Sequence, residues 1–76
     1  MQSTHNGKAR FFRYGAIGSP DIIGVFRGKF LGIEVKTERG KLTALQEAFL
    51  ERINAEGGIA IVARSLEDVI DALDNI

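Results

Sequence analysis

Cysteine is missing from all 76 positions. That one absence removes disulfide staples, thiolate zinc sites and thiol nucleophiles together, and leaves the redox compartment open. The fold must then rest on packing alone. No apolar run approaches the roughly 20 residues of a membrane span, and the N-terminus is polar, without the apolar stretch of a signal peptide. A soluble intracellular protein is the expectation. Histidine occurs once, at His5, inside a polar segment where neither a ligand nor a general-base role is expected. Net charge is absent too, since ten Lys and Arg balance ten Asp and Glu.

That balance is not evenly spread. Residues 1–41 hold eight Lys and Arg against three Asp and Glu, giving +5, and residues 42–76 hold two against seven, giving −5. A chain that meets a polyanion with one face and stays soluble with the other shows this asymmetry. A chain this short forms one domain and buries only about 60% of the surface its unfolded form exposes, so its core is thin and a partner subunit would help it.

Residues 1–9 (MQSTHNGKA) are polar and aperiodic and read as a mobile arm; the domain proper spans 10–76. Residues 10–14 (RFFRY) suit a first strand, GAIGSP a loop, and DIIGVF (21–26) a strand whose start Pro20 marks. A turn around Arg27-Gly28-Lys29 leads into FLGIEVK (30–36), rich in β-branched and aromatic residues. Thr43-Ala44-Leu45-Gln46 has the form of a capping box, and Leu45, Phe49 and Ile53 recur at helical spacing until Gly57-Gly58. IAIVA (59–63) is a continuously apolar strand of the kind that helices bury on both faces. Ser65 caps a last helix with Leu66, Val69, Ile70 and Leu73 inside. The fold class is α/β: a small mixed sheet in the order β-β-β-α-β-α, with residues 30–36 and 59–63 as its parallel pair.

Glu34 and Lys36 interrupt an apolar strand, and side-chain alternation puts both on one face while Leu31, Ile33 and Val35 take the other. Asp21 opens the neighbouring strand. Its side matches that of Glu34 only if the turn has the right parity, which a three-residue turn lacks and a four-residue loop (27–30) or a bulge restores; one of these is expected. Asp21 and Glu34 would then converge on a hard divalent cation, with the Val35 carbonyl and waters completing its oxygen shell and Lys36 alongside as a point charge. Phosphodiester hydrolysis needs an activated water and charge stabilisation in the transition state, and a carboxylate-held Mg²⁺ supplies both.

Pro20-Asp21, twelve intervening residues, then Glu34-Val35-Lys36 resembles the PD-(D/E)XK nuclease pattern. With the helix start Gly40-Lys41-Leu42-Thr43-Ala44-Leu45-Gln46 and the Gly57-Gly58 break before Ile59-Ala60-Ile61-Val62, the chain resembles the VRR-NUC branch of that superfamily, the virus-type replication and repair nucleases, from about Arg10 to the last helix. The resemblance implies a restriction-endonuclease-like core and a Mg²⁺-dependent DNA endonuclease, Mn²⁺ substituting. In it Asp21 and Glu34 hold metal, Lys36 is catalytic, Gln46 sits beside the site, and the product carries a 5′-phosphate. It further implies a homodimer, whose two-fold pair of sites suits branched DNA, and a cytoplasmic setting in a bacterium or a phage-infected host. Family members usually carry an N-terminal helix bearing a further acidic residue, for which this chain leaves no room; water or a second protomer is then expected to complete the site, or activity to be weakened.

Each residue also has a plainer reading. Glu34 and Lys36 form an edge-strand ion pair in it, Gln46 only completes the capping box, and Ser19 builds the loop before Pro20 instead of contacting phosphate. Tyr14 stacks or packs. Arg10, Arg13, Arg27, Lys29, Arg39 and Lys41 are single surface charges that together bracket the site as a rim for DNA phosphates. A DNA-binding module that keeps the nuclease fold with little or no activity is the alternative function.

Overall fold

The computed structural model describes residues 10–13 and 18–76. The expected arm, with His5, and Tyr14 lie outside the described residues. The elements run β1 (Arg10–Arg13), β2 (Ile22–Phe26), β3 (Lys29–Val35), α1 (Ala44–Ala55), β4 (Ile59–Ala63) and α2 (Leu66–Asp74). This is the expected β-β-β-α-β-α order. One four-stranded sheet holds the strands in the order β1-β2-β3-β4. The first three are antiparallel neighbours, and β4 lies parallel to β3 with Ile33 beside Ile61. Helix α1 makes the crossover that a parallel pair requires.

The β2–β3 turn is shorter than the sequence suggests. Phe26 pairs with Lys29, leaving Arg27-Gly28 as a two-residue turn with both residues at positive φ, 53° and 79°. A two-residue hairpin of the I′ kind needs that backbone in both positions. Glycine adopts it freely and arginine does not; the Arg27 guanidinium lies 5.0 Å from the Phe26 ring centroid and also donates to the Ile76 carbonyl. The expected four-residue loop or bulge is therefore replaced by a two-residue turn of the same parity.

The two faces of the sheet carry different loads. On one, Phe26, Leu31, Ile33, Ile61 and Ala63 form the buried core, and Val69, Ala72 and Leu73 of α2 pack over it. On the other lie Gly32 and Glu34, covered from the α1 side, where Leu50 and Ile53 are buried. Helix α1 lies close because Gly32 has no side chain: a Cβ there would stand 2.6 Å from Ile53 Cδ1 and 2.8 Å from Pro20 Cγ.

Both helices start where expected. Thr43 and Gln46 form a reciprocal capping box, and the Ser65 hydroxyl accepts from the Asp68 amide. Their inner stripes differ in part from the expected ones. In α1 Leu45 is 61% exposed, whereas Ile53 is buried and Phe49 half-buried as expected, and Leu50 and Gln46 complete the inward side. In α2, Leu66 and Ile70 are exposed while Ala72 takes an inner place. Among the described residues no helix is long and apolar enough to cross a membrane.

Candidate active site

Strand pairing ends at Ile22 beside Ile33, so Asp21, one step before, comes next to Glu34 at the margin of the sheet. The Val35 amide donates to Asp21 Oδ2 at 2.9 Å, which ties the Asp21 carboxylate to β3 just where the ladder stops. A residue in an extended strand directs both its backbone groups to the same side, so the Val35 carbonyl faces the same margin as its amide.

Glu34 is 2% exposed. Its Oε2 accepts from Gln46 Nε2 at 3.0 Å and lies 3.7 Å from Lys36 Nζ. Its Oε1 is buried and has no hydrogen-bond partner among the described residues. Removal from water, and then the negative charge of Asp21, push the Glu34 carboxyl above the ordinary glutamate range; the Lys36 ammonium opposes this and is outweighed. A carboxylate oxygen in that position calls for a proton or a cation.

Gln46 serves both of the roles that its sequence position allows. Its Oε1 accepts from the Thr43 amide at 2.9 Å, while the Thr43 hydroxyl accepts from the Gln46 amide at 3.1 Å. With the side-chain oxygen committed to the cap, the side-chain nitrogen is the atom left for Glu34, and the box fixes which way the amide faces.

The oxygen donors fit a hard divalent ion. Asp21 and the unpartnered Glu34 oxygen are anionic, the Val35 carbonyl faces the same margin, and an ion that keeps several waters needs no more from the protein. Among the described residues no group of three or more His, Cys, Asp and Glu gathers to hold a metal, so water would take a large share of the shell.

The basic residues divide by position. Arg39 and Lys41 are exposed in the segment between β3 and α1, shortly after Lys36. Arg13 stands beside Ile22 in the register, hence near Asp21, and Arg10 stands beside Val25, further off. Arg27 and Lys29 sit at the hairpin tip, the opposite end of the five-residue β2, about 17 Å away at the usual strand rise. They do not bracket the carboxylates, because the tight turn carries them to the far end. Ser19 is 8% exposed, which suits the plainer of its two readings, a residue that builds the loop before Pro20. Arg64, which no motif marks, reaches across the end of the sheet to the segment that follows Lys36. A lone arginine after an apolar strand carries no signal in the sequence.

The family model described as the VRR-NUC domain matches residues 3–67. The chain belongs to the VRR-NUC family. The PD-(D/E)XK superfamily is the general placement of this domain, and its small mixed sheet with two helices is the expected nuclease-like core. Neither the curated proteins nor the solved structures offer a match. For a VRR-NUC domain the general function is of the nuclease type, with DNA as its substrate. The matched span takes in Asp21, Glu34, Val35, Lys36 and Gln46, the residues that the fold brings to one margin.

Proposed function

We propose that this chain is a divalent-metal-dependent DNA endonuclease whose reaction centre is Asp21, Glu34 and Lys36. The observation that carries the reading is Glu34: a buried carboxylate with one oxygen unpartnered, beside a second carboxylate and 3.7 Å from a lysine. Groups are not left this way for stability, since burying an unsatisfied charged oxygen is unfavourable by at least about 1–3 kcal/mol.

Asp21, Glu34 and the Val35 carbonyl would hold Mg²⁺ or Mn²⁺, which when bound lowers the pKa of water and screens the phosphate from the two carboxylates. Hydrolysis joins a water oxygen to phosphorus and releases the 3′ oxygen, leaving 5′-phosphate and 3′-hydroxyl ends. Lys36 sits where it can orient that water or steady the charge that grows on the phosphate oxygens. Gln46 fixes the Glu34 carboxylate so that one oxygen remains for the ion. Arg39 and Lys41 are the positive charges placed to take the DNA backbone, and the Arg13 position, beside Ile22 in the register, is the nearest on β1.

The thin core and the exposed Val35, Leu66 and Ile70 support a homodimer, and a two-fold pair of sites would suit branched DNA in replication or repair. Light scattering of the purified protein checks the first point. A panel of junction, flap, nicked and duplex DNAs with Mg²⁺ or Mn²⁺ checks the second and tests the activity itself. Metal-dependent cleavage by the wild type that drops by about 100-fold or more in Lys36→Ala is the expected result. Equal behaviour of the two proteins would favour the second reading, a DNA-binding module of weak or no activity, which the two-carboxylate donor set makes worth the comparison.

A further inference from the structure

We infer that Arg64 is a positioning residue that sets Lys36, acting through the loop that follows it; the inference rests on the role proposed for Lys36 in cleavage. Lys36 cannot be held by its ammonium alone, because the carboxylate it faces, Glu34, is 3.7 Å away. Its side chain is nevertheless only 18% exposed, so something covers the stem. Gly40 is part of that cover: a Cβ on it would stand 3.5 Å from Lys36 Cδ and 3.0 Å from Thr37 Oγ1. The loop folds back on the lysine, closed by a hydrogen bond from the Gly40 amide to the Thr37 carbonyl at 3.1 Å.

A loop of four residues between a strand end and a charged segment has little reason to keep that shape. Arg64 supplies one. A single guanidinium nitrogen, Nη1, lies 2.6 Å from the Thr37 carbonyl, 2.7 Å from the Gly40 carbonyl and 3.3 Å from the Glu38 carbonyl. Hydrogen bonds from a charged donor are about twice as strong as neutral ones, and these draw three carbonyls to one point. The anchor is itself fixed at both ends. Arg64 follows Ala63, whose carbonyl accepts from the Lys36 amide at 3.0 Å, and the Arg64 amide donates to Asp68 Oδ2 at 2.8 Å in the first turn of α2. Helix α2, on the far face of the sheet, thus holds the backbone from which Arg64 grips the loop that folds back on Lys36. With its Nη1 committed to these carbonyls, Arg64 is placed to shape the loop.

Loss of the guanidinium should let the loop relax and the ammonium wander, and a displacement of about 1 Å at a reacting group can cost on the order of 100-fold in rate. The test compares Arg64→Ala, Arg64→Lys and, as a control, Arg52→Ala, whose arginine, on α1, forms an exposed pair with Glu56. Two readouts are taken on the whole chain: steady-state cleavage with Mg²⁺, and the Lys36 side-chain NMR resonances without metal or DNA. The expected result for Arg64→Ala is shifted Lys36 resonances, a kcat lowered by about 10–100-fold and a KM within about threefold of wild type. Arg64→Lys, or millimolar guanidinium added to Arg64→Ala, should recover part of both. Unmoved Lys36 resonances in Arg64→Ala would overturn the inference, as would a loss confined to KM, since Arg64 would then be a DNA contact. Should Arg64→Ala be too unstable to compare, Arg64→Lys is measured against the wild type by the same two readouts, and unmoved resonances or a loss confined to KM overturn the inference there too. If the wild type does not cleave at all, the nuclease reading fails, while the resonances still report whether Arg64 sets Lys36.

Discussion

At the scale of single residues, Glu34 concentrates the conflict between stability and activity. Its carboxyl sits above the ordinary glutamate range because of burial and the neighbouring Asp21 charge. A carboxyl raised in the folded state binds its proton more tightly there than in the unfolded chain. Its favourable contribution is therefore whole below the ordinary glutamate value and disappears as pH rises through the raised one. The metal-free protein at neutral pH should carry that loss. Glu34→Gln imitates the protonated form: its oxygen can accept from Gln46 and its nitrogen can donate toward Asp21. We expect Glu34→Gln to melt at a higher temperature than the wild type at pH 7–8 without metal, and the gap to narrow as pH falls into the glutamate range. Thermal melts across pH check this, and the same variant should show no cleavage and weaker cation binding by calorimetry. A lower melting temperature for Glu34→Gln at neutral pH would contradict the strain assigned to the buried carboxylate.

At the scale of elements, two glycines serve the fold for unrelated reasons, and one pair of substitutions separates them. Gly28 holds φ 79° with open space around it, whereas Gly32 has ordinary backbone but no room for a methyl group between Ile53 and Pro20. Alanine at 28 costs about 1–2 kcal/mol in backbone strain, and asparagine, which visits that region more readily, should cost less. At 32 the order inverts: alanine costs about 1–3 kcal/mol by overpacking, and the larger asparagine costs more. Urea denaturation midpoints of the four variants check the inversion. These elements also show what the sequence made legible. The helix N-caps, the element order and the parallel pair could be read, because local hydrogen bonding and hydrophobic pattern decide them. Turn parity could be read as well, since Asp21 and Glu34 demanded it. The turn length could not, because arginine at positive φ is a conformation that propensity argues against. Leu45 looked like the inner stripe of α1 because it is apolar, yet Gln46 occupies that position, and a polar residue facing inward is legible only once its partner is known.

At the scale of the whole molecule, the charge division between the two halves of the chain becomes a spatial one only in part. Arg39 and Lys41 lie near the carboxylates in sequence and in space, while the hairpin tip takes Arg27 and Lys29 to the other end of β2. The sequence could assign these charges to one half but not to one end, because the folding back of a hairpin reverses which residues are close. DNA binding measured as a function of salt should reflect this. On a Lys36→Ala background, replacing Arg39 and Lys41 together by alanine should reduce the slope of log K against log salt by about 2, roughly one for each lost phosphate contact. Arg27→Ala should change it by well under one. Equal slopes for the two replacements would mean that DNA lies along the whole sheet instead of across its margin.

The first turn of α1 and the grip on Glu34 share one amide: Gln46 closes the helix start with its oxygen and holds the carboxylate with its nitrogen. Fraying of that turn and release of Glu34 are consequently a single event. A cation that locks the carboxylate would also clamp the beginning of the helix, so local melting, more than any change of the sheet, becomes the motion through which this domain could switch between a loaded and an idle centre.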